Sequence, residues 1–166
     1  MSEVLDPLLR GEHEATPQEP DPSVAQLPLL SFRLGGEVFA LPRNSVRVIT
    51  LVGKIARVPG AGAPVLGITH HRGDLLPVID LAQALGLSRD PSEGEHLIII
   101  DSARSEVGLA CVAGELVDLH QVDESQLMPA PSSTNAATLR HLRGVLKLDQ
   151  MLIGVLSPES LDEVRG

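Results

Sequence analysis

The chain has 166 residues, a formal net charge of -9 and a pI near 5.0. That length is one domain's worth of sequence. With no Trp or Tyr and only Phe32 and Phe39, the core must be built from Val, Leu, Ile and Ala. Single-stranded nucleic-acid binding, which depends on aromatic stacking, is excluded, and so are phosphate backbones, which an acidic surface repels.

Residues 1–26 differ from the rest. Glu3, Asp6, Glu12, Glu14, Glu19 and Asp21 stand against Arg10 alone, so this segment carries -5 of the total. Pro17, Pro20 and Pro22, with Pro28 just beyond, disfavour helix and ladder formation, and the apolar content is too low to offset ordering entropy. A disordered overhang is expected. Val4, Leu5, Leu8 and Leu9 have helix-like spacing, which leaves a docking helix as the alternative. The segment is acidic and has no apolar stretch of the signal-peptide kind, and nowhere does the chain offer the ~18 apolar residues that cross a bilayer. A cytoplasmic location is expected.

From Leu29 onward the period is that of strands. LLSFRL and EVFALP flank Gly35-Gly36 as an opening hairpin. SVRVITLV is β-branched and reads as a strand, followed by a basic turn around Lys54 and Arg57. VLGIT and LLPVID form a second hairpin turning at Arg72-Gly73. Pro77 within it cannot donate to a ladder, which argues for an edge strand or a barrel corner. Asp80 is placed to cap a short helix, LAQALG, closed by Gly86. A polar linker from Ser88 to Glu95 leads to HLIIID, a strand apolar on both faces. EVGLACV and ELVDLHQV follow, then a long loop, QLMPAPSSTNAAT. LRGVLKLD and MLIGVL make the last hairpin, turning at Asp149-Gln150, and Ser157 caps a final helix with Pro158 at its first position. About ten short strands and two short helices imply an all-β barrel or sandwich.

The chemistry-bearing residues are sparse. Cys111, the single cysteine, can form neither an intrachain disulfide nor a thiolate metal site, and in VGLACVAG it reads as a buried inert thiol. His70 and His71 are adjacent on a strand and so point to opposite faces, and the other histidines lack ligand spacing. There is no GxSxG, no GxxxxGK[ST] and no GxGxxG, and the prolines of PGAGAP remove donors that a phosphate would need. No cofactor and no metal are expected, and no catalysis. Arg72 is the residue best placed to bind a partner: a five-donor fork at the tip of a tight turn beside Gly73 can read carboxylates or carbonyls.

Three stretches, in order, resemble CheW-like coupling domains. Arg57 to Leu81, RVPGAGAPVLGITHHRGDLLPVIDL, is similar to the family's RVPGAPPxVxGxxNxRGxxLPVIDL. It keeps Val58, Pro59, Gly60, Ala61, Gly67, Arg72, Gly73 and the run from Leu76 to Leu81. The stretch from Ser105 to Pro131 matches at Gly108, Leu109, Val112, Val117 and Pro129. The closing LRGVLKLDQMLIGVLSPESL matches at Gly144, Val145, Leu148, Asp149, Leu152 and Ile153. Residues 27–166 are thereby identified as one CheW-like domain.

This resemblance implies two packed, five-stranded β-barrels with short helices, and a receptor's helical tip docking in the groove between them. It implies an adaptor without chemistry of its own, joining the cytoplasmic tip of a methyl-accepting chemoreceptor to the regulatory domain of a CheA-like histidine kinase and recruited through them to membrane receptor arrays. The partner-binding residues it points to are Arg72, Gly73, Gly67, His70, Val46 and Val48. Two of these depart from the family: His70 stands where Asn is usual, and Val48 where SVRVIT would often carry Glu. The spelling of ARVPG and LLPVIDL leans toward members serving type IV pilus or other non-flagellar pathways. Two other readings compete: a degenerate scaffold that binds only the kinase, and a small-molecule binder on a β-barrel, which would show a deep pocket with His or carboxylates.

Overall fold

A computed structural model describes residues 25–89 and 94–164. The acidic segment, with both its expected disorder and its alternative docking helix, therefore lies outside the described residues except for Ala25 and Gln26. Part of the Ser88–Glu95 linker lies outside them too.

Eleven strands are described: β1 (Gln26–Leu34), β2 (Glu37–Pro42), β3 (Val46–Thr50), β4 (Ile55–Ala56), β5 (Val65–His71), β6 (Asp74–Asp80), β7 (His96–Ile100), β8 (Leu109–Ala113), β9 (Leu116–Asp123), β10 (Leu142–Leu148) and β11 (Met151–Leu156). Three short helices join them: α1 (Leu81–Ala84), α2 (Ala136–His141) and α3 (Pro158–Glu163). They form a five-stranded sheet, β10-β11-β2-β1-β9, and a six-stranded sheet, β3-β7-β8-β6-β5-β4. The all-β architecture expected from the sequence is thus present, and the two units expected as five-stranded barrels are two packed sheets, one a strand larger than five because Ile55–Ala56 pairs with β5 rather than turning freely.

Strand alternation explains why each sheet has two apolar faces. Phe39 and Leu41 of β2, with Ile98 and Ile100 of β7, enter a central core shared by both sheets. Their neighbours Val38 and Ala40 join a second core within the five-stranded sheet, and Leu97 and Ile99 a third within the six-stranded one. Each sheet therefore packs on its partner and also wraps around a core of its own. Burying an Ile or Leu side chain contributes about 1.5–3 kcal/mol, so aliphatics suffice where aromatics are lacking.

The curl of the larger sheet follows from chain length. Its opposite edges, β3 and β4, are joined by only the residues from Leu51 to Lys54. Six flat strands would set those edges ~24 Å apart, whereas the five steps of chain from Thr50 to Ile55 span at most about 18 Å. The sheet must bend to close that gap. Val48, Val52, Ile55 and Leu66 accordingly pack on the same core.

Two prolines correct the sequence reading. Pro28 does not block β1, and Pro77 is not on an edge strand, since β6 lies between β8 and β5. Both sit where their strand has a ladder on one side only. The β1–β2 register begins at Leu29 and the β6–β8 register at Val78, one residue beyond each proline, so no ladder partner requires the missing N–H. The corner alternative given for Pro77 fits this position.

The expected long loop contains a helix that the sequence reading missed. Asn135 Oδ1 caps α2 by accepting from Thr138 N at 2.7 Å, and Thr138 Oγ1 donates to Leu85 O at 2.6 Å, fastening α2 to the end of α1. The other caps are as expected: Asp80 Oδ1 accepts from Gln83 N, and Ser157 Oγ from Ser160 N.

Candidate functional site

The hairpin of β5 and β6 brings Gly67, His70, Arg72 and Gly73 together. His71 pairs with Asp74, leaving a two-residue turn in which Arg72 has φ 51 and Gly73 φ 87. Positive φ at both central positions defines a type I′ turn, whose twist matches a β-hairpin and whose usual residues are Asn-Gly. Gly73 is therefore required by backbone geometry. Arg72 occupies the left-handed region at a steric cost of about 1–2 kcal/mol, which Asn or Gly would reduce. Its side chain is exposed and, among the described residues, takes part in no ion pair.

His70 is exposed and paired across the strands with Leu75, itself 62% exposed, so the turn presents an imidazole beside an uncovered leucine. His71 is half-buried, as strand alternation requires. Gly67 has a different part. Buried at φ 152, it lies where the register shifts between Val65 and Gly67, against the backbone of β4. The Pro-Gly loop before β5 is held by Asp80 N donating to Pro64 O at 2.8 Å.

Val46 and Val48 stand across the sheet order from this hairpin. Arg47 is the extra residue of a bulge, since Val46 pairs with Ile100 and Val48 with Ile99. The bulge turns neighbours that simple alternation would place on one face toward different cores: Val46 toward the shared one and Val48 toward that of its own sheet. Arg47 Nε donates to Asp101 Oδ1 at 2.5 Å and its Nη1 to Glu106 O at 2.7 Å, which fixes the bulge.

Both valines also border a groove of about 470 Å³ between the two sheets, completed by Leu30, Arg43, Arg47, Ile49 and Leu119. Leu119 is 55% exposed at its edge. Sequence reasoning passed over Leu119 and Arg43, because strand alternation does not reveal which outward residues of one sheet will meet a groove formed with the other. The departures at 48 and 70 thus fall on two surfaces: a groove wall and a hairpin tip.

The chain is similar to known proteins in sequence and in fold. The chain is 29% identical over 133 residues to "Probable chemotaxis protein CheW" of Rhizobium etli, covering 80% of this chain and 85% of that one. It is 27% identical over 116 residues to "Protein FrzA" of Myxococcus xanthus, covering 70% and 71%. To "Protein PilI" of Pseudomonas aeruginosa it is 24% identical over 137 residues, covering 82% and 76%. The crystal structure of the scaffolding protein TtCheW from Thermoanaerobacter tengcongensis superposes with a TM-score of 0.74 at 23% identity, over 86% of this chain and 96% of that one. The model of the CheW-like domain matches residues 28–164, and the chain belongs to that family.

Proposed function

We propose that this protein is an adaptor that couples a chemoreceptor's cytoplasmic helical tip to a CheA-like histidine kinase in a chemotaxis-type pathway. The observation that carries the reading is the groove between the sheets. It is lined by the apolar Leu30, Val46, Val48, Ile49 and Leu119 together with the cationic Arg43 and Arg47. An amphipathic helix docks into such a groove by its apolar face, with polar groups reaching the rim. The relatives named for chemotaxis, and FrzA and PilI, support a place in this kind of signalling.

The same reading gives the protein no catalytic step. Burial first, and then the charge of Asp162, push the Cys111 thiol up to about 12, which removes the chain's one thiol as a nucleophile. A small-molecule binder is less well supported. A cavity of about 620 Å³ does contain the buried Asp162, but that carboxylate accepts from Ser102 Oγ at 2.8 Å and Ala103 N at 3.2 Å and so holds α3 against the loop after β7. The kinase-only scaffold is the second reading, favoured by one observation: Val48 leaves the groove wall without the carboxylate common in the family.

Co-purification of the tagged protein from its own cells, wild type beside Arg72→Ala, tests these readings. A receptor and a histidine kinase are expected with wild type, and receptor depletion with the variant. Kinase alone, unchanged by the substitution, would establish the second reading. Recovery of neither would overturn the adaptor function.

A further inference from the structure

The groove between the sheets holds two cations in different states. It runs between β9, the last strand of the five-stranded sheet, and β3, the outer strand of the six-stranded one. Leu30 and Leu119 are register partners on β1 and β9, the first 5% exposed and the second 55%. Among the described residues no Asp or Glu lines the groove, and its charges are those of Arg43 and Arg47.

Arg47 is already engaged. Its Nε donates to Asp101 Oδ1 at 2.5 Å and its Nη1 to Glu106 O at 2.7 Å, so its charge is offset and its fork is held within its own sheet. Arg43 is not. Its side chain is exposed and, among the described residues, takes part in no ion pair and no hydrogen bond. The backbone beneath it is fixed all the same. Arg43 opens the 3-10 turn Arg43–Ser45, its carbonyl accepts from Val46 N, and Ser45 Oγ donates to Pro42 O at 2.7 Å. A guanidinium with its whole donor fork open is therefore carried on a braced turn next to Val46.

A helix seated on Leu30, Val46, Val48 and Leu119 removes water from one side of that guanidinium. No carboxylate of this chain lines the groove to compensate it. Covering an unpaired cation opposes binding, whereas a carboxylate set across from it forms charge-assisted, bidentate hydrogen bonds. An apolar or basic residue facing Arg43 is thus penalised and an acidic one is favoured. Discrimination between partners is such a difference in affinity.

We propose that Arg43 sets the specificity of the groove. The helix it admits carries an Asp or Glu opposite Arg43, with apolar side chains at helical spacing on Val46, Val48 and Leu119. This rests on the adaptor reading, which supplies a receptor helix, and adds which helix is accepted. Arg43 touches the partner, while Arg47 holds the bulge that places Val46 and Val48.

The test titrates the purified full-length protein with the purified cytoplasmic fragment of the receptor that co-purifies with wild type. Arg43→Ala is expected to weaken binding about ten-fold and Arg43→Glu at least about thirty-fold. Arg43→Lys, which keeps the charge and loses the fork, should fall between wild type and Arg43→Ala. Melting temperatures should match wild type, because the Arg43 side chain holds nothing within the fold. The Asp and Glu residues of the fragment are then replaced by Arg one at a time. One such change should weaken binding to wild type and bring Arg43→Glu back to within about three-fold of the native pair, a coupling that a merely structural role would not produce. Undiminished binding by Arg43→Glu, or no position that rescues it, overturns the proposal and leaves the adaptor reading standing. Recovery of no receptor with wild type overturns both.

Discussion

A Cβ built on Gly67 would stand 2.1 Å from the carbonyl oxygen of Ala56, a separation that real side chains do not reach. The strand carrying the Arg72 turn is thereby set against β4 by a backbone contact that only glycine permits, at a φ of 152. Gly67→Ala is expected to lower stability by about 3 kcal/mol or more, because either β4 must move away or the turn strand must shift. The reading is a lower urea midpoint at unchanged slope. A midpoint equal to wild type would show that β4 is held too loosely for the contact to matter.

Gly67 was legible in the sequence as a matched family glycine, but its reason was not. The constraint comes from β4, and a two-residue strand gives no periodic signal at Ile55–Ala56. The hairpins were readable because Gly35-Gly36, Arg72-Gly73 and Asp149-Gln150 interrupt alternating strands, and all six of these residues have positive φ. Helix α2 had local signals in Asn135, Ala136 and Ala137 and in the basic last turn, Arg140 and His141. They were outweighed by the Pro and Ser residues before them, while the contact from Thr138 to Leu85 that fixes the helix is 53 residues distant in sequence. The hairpin half of the candidate site could be read because it is local. The groove could not, because Leu30 and Leu119 meet Val46 and Val48 only once the two sheets pack.

Arg72 at φ 51 separates stability from binding. Replacement by Asn keeps a residue that tolerates the left-handed region and gives the preferred type I′ pair, Asn-Gly. Arg72→Asn is therefore expected to raise stability by about 0.5–1 kcal/mol while weakening receptor recovery as Arg72→Ala does. Denaturant midpoints and co-purification on the same preparations test both halves. A variant that is less stable would mean that the guanidinium holds the turn rather than serving a partner.

Cys111 offers a reporter of unfolding. With its pKa pushed to about 12, only ~1 in 10,000 thiols is ionised at pH 8, against roughly a quarter for an ordinary thiol. Modification of the native chain by a thiol reagent is expected to be at least about 1,000-fold slower than that of urea-unfolded chain, and to follow the free energy of opening. Rapid labelling of native protein would place β8, where Cys111 pairs with Ile79 and Ile98, in a readily opened part of the fold.

His141 gives stability a pH dependence with a defined sign. Its ring is buried against α3, and Ser160 Oγ, which donates to Arg140 O, is left to accept from His141 Nδ1–H. Nε2 is enclosed without a hydrogen-bond partner, so protonation there would bury an unmatched donor. Burial first, then the neighbouring Arg140, lower the ring's pKa, with Glu163 opposing them. In the unfolded chain the imidazole takes up its proton near pH 6.5. Above that value both states are neutral and the native state has its full stability. As pH falls from 6.5 toward the lower native pKa, the unfolded state binds the proton first, and stability is lost at up to about 1.4 kcal/mol per pH unit for this one group. The melting temperature of wild type should therefore drop between pH 7 and 5 more steeply than that of His141→Gln, which cannot titrate there. Parallel curves for the two proteins would show that α3 loosens enough to hydrate the imidazolium.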